Sequence, residues 1–116
     1  MAFTLRGGTI ILPTGLVQSD LSFDKTFKRI DTSASELMDG TESLDVSGLY
    51  VAPGFIDVHI HGSNGSDVMD GTVESLENIS KTIIKTGTTR FLPTTMTQSS
   101  ERIHTSLNAI KTYMGH

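Results

Sequence analysis

The order of hydrophobic patterns predicts an α/β chain, with short strands over the first fifty residues and then, from Pro53 onward, strand, helix, strand, helix. Three observations carry this. The run Phe55 to Ile60 alternates with period two, two later stretches carry apolar residues three and four positions apart, and turn residues separate each pattern from the next. The two strand–helix steps are joined by connections short enough for a right-handed parallel unit. Such a unit leaves an open sheet edge and helix faces without neighbours, and a closed (β/α)8 barrel needs about 250 residues. The 116 residues are therefore expected to begin a larger structure.

The early strands read as follows. Phe3 to Leu12 is rich in Thr, Ile and Leu, and Pro13-Thr14-Gly15 is a turn signal before Leu16-Val17. Leu21, Phe23, Phe27 and Ile30 suggest a second hairpin. Asp31 to Ser43 is dominated by polar residues and Gly, as an exposed loop would be. Leu49-Tyr50-Val51-Ala52 stops at Pro53-Gly54. On the strand Phe55 to Ile60, Ile56, Val58 and Ile60 share one parity, while Phe55, Asp57, His59 and His61 share the other. A Gly-rich loop spans Gly62 to Gly71. Thr72 then caps a helix with apolar Val73, Leu76, Ile79, Ile83 and Ile84, which Gly87 ends. The strand Thr89 to Thr95 follows. Ser99 or Ser100 caps the last helix, with Glu101 in its first turn, an apolar stripe of Ile103, Leu107, Ile110 and Met114, and Gly115 at its close.

Composition excludes several classes. Hydrophobic residues at 36% and charged residues at 19% are too apolar a mixture for global disorder. Nine Lys plus Arg against thirteen Asp plus Glu, with no basic cluster, give no footprint for nucleic acid or an anionic membrane. No segment is long and apolar enough to span a bilayer, and Met1 to Leu12 does not read as a signal peptide. The absence of Cys removes disulfides, thiolate metal sites and a Cys nucleophile, and fits a reducing, cytoplasmic compartment.

The strongest chemical signal is His59-Ile60-His61. Two residues apart on a strand, the imidazoles leave one face roughly 6 to 7 Å apart at the backbone, close enough to converge on a divalent ion. Imidazole suits zinc, iron, manganese, cobalt or nickel, so spacing alone does not select the metal. On an average surface strand, two such histidines merely face water. Here the other face is apolar, the pair sits at the carboxyl end, and a Gly-rich loop opens after it, where a barrel places its active site. Ligation is the better reading. Asp57, one step deeper, is expected either to accept a hydrogen bond that orients a ring or to pack the inward face. His104 reads as a boundary residue and His116 as terminal. Asn64 and Ser66 are more simply residues that satisfy their own turn than phosphate or sugar contacts. Arg90 is a candidate to pair with a later carboxylate, and Gly7-Gly8 a bend or bulge.

The stretch Val51-Ala52-Pro53-Gly54-Phe55-Ile56-Asp57-Val58-His59-Ile60-His61-Gly62, preceded by Asp45-Val46-Ser47-Gly48, resembles the first barrel strand of the amidohydrolase superfamily. Gly62-Ser63-Asn64-Gly65-Ser66-Asp67-Val68-Met69-Asp70 and Gly87-Thr88-Thr89-Arg90-Phe91-Leu92-Pro93-Thr94-Thr95 are similar to the N-acetylglucosamine-6-phosphate deacetylase family within it. Dihydroorotase-like members usually carry an Arg two residues after the second His, where this chain has Ser63. The resemblance implies a (β/α)8 barrel with a small β-sandwich built from both chain ends. Residues 1–52 would belong to the sandwich, and 53–116 would form the first two βα units. It implies His59 and His61 as ligands of a divalent ion, zinc first, with iron, manganese or cobalt as alternatives. A Glu, two further His and the catalytic Asp would come from later strands. Some members lack both first-strand histidines, so their presence here points to a binuclear-capable or alternative-metal variant. An amino-sugar phosphate substrate and a homodimer are implied for the intact enzyme, and no activity for these residues alone. The rival expectations are another amidohydrolase activity, or a noncatalytic segment that self-associates through its open edge.

Overall fold

The computed structural model describes residues 3–24, 27–31 and 42–115. The chain divides into two compact units, Met1–Pro53 and Gly54–His116.

In the first unit, β1 (Phe3–Leu12), β2 (Gly15–Phe23), β3 (Phe27–Asp31) and β4 (Glu42–Asp45) form one sheet in the order β3-β2-β1-β4. The short β5 (Tyr50–Val51) also pairs with β1. The first hairpin closes with Leu12 opposite Gly15, and the second pairs Leu21 with Ile30, as the alternating apolar residues suggest. β4 and β5 both run parallel to β1. The β1–β2 register shifts between Leu5 and Gly8. Gly7 there has φ 72°, a conformation that favours glycine, and its amide donates to Asp20 Oδ1 at 2.9 Å. The expected polar loop, Asp31 to Ser43, lies mostly outside the described residues, and its last two positions begin β4. After β4 the Ser47 amide donates to Asp45 Oδ1 at 2.8 Å. Hydrogen bonds from the Ser47 hydroxyl and amide hold the Asp45 carboxyl below its ordinary range. Ile10, Leu21 and Val46 are buried, with Thr4 and Ser19 among them.

In the second unit, β6 (Phe55–Ile60) and β9 (Thr88–Pro93) pair in parallel. Between them run β7 (Gly62–Ser63), β8 (Ser66–Asp67) and α1 (Val73–Ile83), and α2 (Ser100–Met114) follows. Thr72 Oγ1 accepts the Ser75 amide at 3.2 Å, and Ser99 Oγ accepts that of Arg102 at 3.4 Å, so both helices begin on hydroxyl caps. α1 tightens into a 3-10 turn over Ile84–Thr86 before Gly87 stops it. The core consists of Val68, Leu76, Ile79, Ile83 and Ala109, with Ile60, Phe91, Ile110 and Tyr113 packed against it. Among the described residues no helix is long and apolar enough to cross a membrane.

Two details depart from expectation. The Gly62–Gly71 stretch is structured. β7 and β8 pair antiparallel around Asn64 (φ 52°) and Gly65 (φ 77°), the positive-φ couple that a tight hairpin turn requires, and a 3-10 turn follows over Val68–Asp70. On α2, Leu107 and Met114 of the expected stripe are exposed, whereas Ser106 and Ala109 are buried. The small side chains let the helix approach its neighbours closely. The Ser106 hydroxyl donates to Met69 Sδ at 3.6 Å, and a Cβ on Gly71 would lie 2.8 Å from Thr105 Cγ2.

Candidate metal centre

The site grows from the carboxyl end of β6. His59 is exposed and His61 half-buried, and their rings meet edge-on, with centroids 5.0 Å apart and an interplanar angle of 75°. His59 Nε2 and His61 Nε2 lie 3.2 Å apart. Two metal–nitrogen bonds of about 2.05 Å span ~3.3 Å at a tetrahedral angle and ~2.9 Å at a right angle. The observed separation lies between these values. The pair therefore fits a divalent ion held through both Nε2 atoms.

His61 is oriented by β9. Its Nδ1 lies 2.9 Å from the main-chain carbonyl oxygen of Thr94, whose amide in turn donates to Ile60 O at 2.8 Å. A carbonyl only accepts, so this contact is donated by the His61 Nδ1–H, which leaves Nε2 as the nitrogen of that ring able to face an ion. The main chain of His61 is held too, because its carbonyl accepts the amide of buried Val68 at 2.7 Å.

Asp57, half-buried, bonds to the backbone: its Oδ1 accepts the His59 main-chain amide at 3.0 Å. Asn64 and Ser66 are tied to α1. Asn78 Nδ2 donates to Asn64 O at 3.1 Å and to Ser66 Oγ at 2.8 Å, while Asn64 Nδ2 donates to Asn78 Oδ1 at 3.2 Å. Arg90 on β9 and His104 on α2 are exposed, and His116 lies outside the described residues. At the foot of the loop, the Asp67 amide donates to Asp70 Oδ2 at 2.8 Å and the Ser75 hydroxyl at 2.9 Å, which together hold the Asp70 carboxyl below its usual range. Among the described residues no group of three or more His, Cys, Asp or Glu is gathered for a metal. The sequence reading missed the Thr94 carbonyl, which carries no residue-type signal, and Asn78, whose place in an amphipathic helix gives no hint of its bonds to the hairpin.

A parallel βα pair with two converging imidazoles at the carboxyl end of its first strand defines a class, the barrel proteins that arrange their chemistry at the strand ends. The chain belongs to the amidohydrolase family, whose model matches residues 50–115. It is 53% identical over 60 residues to an N-acetylglucosamine-6-phosphate deacetylase of Lysinibacillus sphaericus, covering 52% of this chain and 16% of that one. Against the deacetylase of the same name from Vibrio furnissii it is 38% identical over 78 residues, covering 65% of this chain and 20% of the relative. The crystal structure of N-acetylglucosamine-6-phosphate deacetylase from Pasteurella multocida superposes over 100% of this chain and 31% of its own, with a TM-score of 0.91. At 23% identity that likeness shows the fold, the start of a (β/α)8 barrel preceded by strands. The chain spans about a fifth or less of the length of the two curated relatives.

Proposed function

We propose that this chain forms the metal-binding start of an enzyme that deacetylates N-acetylglucosamine 6-phosphate to glucosamine 6-phosphate and acetate. The observation that carries the reading is the 3.2 Å Nε2 pair at the end of β6, within the residues that the amidohydrolase family model matches. His59 and His61 would hold the ion, zinc in the first place, with iron, manganese and cobalt as the alternatives for the same donors. A divalent ion there supplies Lewis acidity toward an amide carbonyl and lowers the pKa of water. This chain's own contribution is positional. Thr94 and Val68 fix His61, and Asn78 holds the β7–β8 hairpin beside it. The remaining ligands and the general acid/base lie on later strands in this reading, so the 116 residues alone release no acetate. Residues 1–52 contribute to a β-sandwich and 53–116 to the barrel. The intact enzyme is a cytoplasmic homodimer of amino-sugar metabolism, without nucleic-acid or membrane partners.

The test is a chimera in which this chain replaces the matching stretch of the Lysinibacillus sphaericus deacetylase. We expect metal-dependent acetate release from N-acetylglucosamine 6-phosphate, with bound metal and rate both reduced by His59→Ala and by His61→Ala, and none from the 116 residues alone. Unchanged metal content in the chimera carrying both substitutions, or turnover by the short chain that His59→Ala abolishes, would overturn the reading.

A further inference from the structure

We propose that Asn64 is a site of spontaneous deamidation and that Asn78 sets its rate. The inference is independent of the histidine pair and stands whether or not that pair holds a metal.

Asn64-Gly65 is the only Asn-Gly step in the sequence, since the other two asparagines, Asn78 and Asn108, precede Ile79 and Ala109 within helices. The reaction joins atoms of adjacent residues. The Gly65 main-chain nitrogen attacks Asn64 Cγ, the Cγ–Nδ2 bond breaks, and the proton lost by that nitrogen leaves with the amide group as ammonia. Water then opens the cyclic imide. Opening at the side-chain carbonyl gives aspartate, and opening at the main-chain carbonyl gives isoaspartate, in which the main chain runs through the former side chain. Glycine in the attacking position offers no side chain to obstruct the approach. Asn64 and Gly65 are both exposed, and among the described residues no hydrogen bond engages the Gly65 amide.

The native turn keeps the two reacting atoms apart. Asn64 (φ 52°) and Gly65 (φ 77°) are both left-handed between the paired Ser63 and Ser66, which makes the hairpin turn type I′. In that turn the Gly65 nitrogen is swung away from Asn64 Cβ. Ring closure needs it eclipsed with Cβ, and with φ positive at Asn64 that is the first central position of a type II′ turn. The two turns differ by a flip of the Asn64–Gly65 peptide plane, and either one closes a two-residue hairpin. The flip carries Asn64 O with it, and Asn78 Nδ2 holds that oxygen at 3.1 Å. The side chain that must swing inward is held by the same partner, because Asn64 Nδ2 donates to Asn78 Oδ1 at 3.2 Å. One residue of α1 thus restrains both groups that have to move. The isoaspartyl product would lengthen the main chain between Ser63 and Ser66 by one methylene, in a hairpin so close that a Cβ on Gly62 would collide with Ser66 O.

The chain is held in mildly alkaline buffer and digested at intervals, and the mass gained when an amide becomes an acid is read on each asparagine-containing peptide. Asp39-Gly40 and Asp70-Gly71 can isomerise through the same imide, but without a change of mass. We expect Asn64 alone to gain mass, about tenfold more slowly in the folded chain than in the same chain unfolded in urea, because unfolding removes two hydrogen bonds of ordinary strength. Asn78→Ala should raise the folded rate to within about threefold of the unfolded one with unchanged circular dichroism, whereas Ser66→Ala, which spares both bonds to Asn64, should stay within about twofold of the parent. Equal rates in the folded and unfolded parent overturn the proposal without any variant. So does a folded Asn78→Ala chain that deamidates at the parent rate, or a Ser66→Ala chain that accelerates as much as Asn78→Ala.

Discussion

Asn78→Asp isolates what holds the hairpin after His61. The change preserves size but removes both donated hydrogen bonds, to Asn64 O at 3.1 Å and Ser66 Oγ at 2.8 Å, and sets a carboxylate against a carbonyl oxygen. Each bond contributes about 1 kcal/mol net, and water replaces part of that at a half-buried position. The Ser66 hydroxyl can turn to donate to the new carboxylate, so the loss falls on the bond to Asn64 O and is expected to be about 1 kcal/mol. It should be local before it is global, because the hairpin touches the core chiefly through Val68, whose amide donates to His61 O at 2.7 Å. Urea denaturation measures the global part. Hydrogen exchange at the Val68 amide measures the local part, and about 1.4 kcal/mol corresponds to tenfold faster exchange. A variant within about 0.3 kcal/mol of the parent, with an unchanged Val68 exchange rate, would show that Asn78 does not clamp the hairpin.

Two further outcomes follow from the same unit. Ile79→Ala, at a position 0% exposed among Val68, Leu76, Ile83 and Ala109, should destabilise by about 2–5 kcal/mol in urea titration, and a loss below about 1 kcal/mol would mean the α1–α2 core collapses around the cavity. The depressed pKa of Asp70 makes its carboxylate stabilising above the unfolded-state value of about 4, with that contribution lost as pH falls through the lower folded value. Asp70→Asn should flatten this acid limb slightly, the carboxylate being exposed, and an unchanged difference between the two proteins from about pH 6 to pH 2 would refute the linkage.

Much of this unit was legible because its signals are periodic and local. The three-and-four spacing from Val73 to Ile83, the Thr72 hydroxyl and the positive-φ Gly87 mark α1 at both ends. The parity of Asp57, His59 and His61 likewise follows from a period of two. The β7–β8 hairpin was hidden because its strands are two residues each, too short for any alternation to show, although Asn64-Gly65 is a turn signal. The α2 stripe misled for another reason. Apolar spacing says which residues prefer burial, and Ile110 of the stripe does pack on the core, while the closest approach is made by the small Ser106 and Ala109, with Leu107 and Met114 exposed. Asp57 and Thr94 act on or through the main chain, and such contacts leave no mark on residue type.

The close approach of the two rings combines strand spacing with side-chain torsion. A strand carries the two side chains roughly 6 to 7 Å apart at the backbone, and their torsions decide how near the ring nitrogens come. In the structure the Nε2 atoms are 3.2 Å apart and the rings are turned 75° to one another. The β6–β9 register shifts just there. Asp57 faces Phe91 and Ile60 faces Pro93, so three steps on β6 match two on β9, and the extra residue falls at Val58–His59. An extra residue bends its strand and re-aims the side chains beside it. Beyond the shift, Thr94 secures the His61 ring from β9. Both strands therefore contribute to the arrangement: β6 carries the two imidazoles, and β9 supplies the carbonyl that holds the His61 ring. The α1 crossover that carries the chain from one strand to the other is, in this sense, part of the candidate site, because it brings the Thr94 carbonyl beside His61.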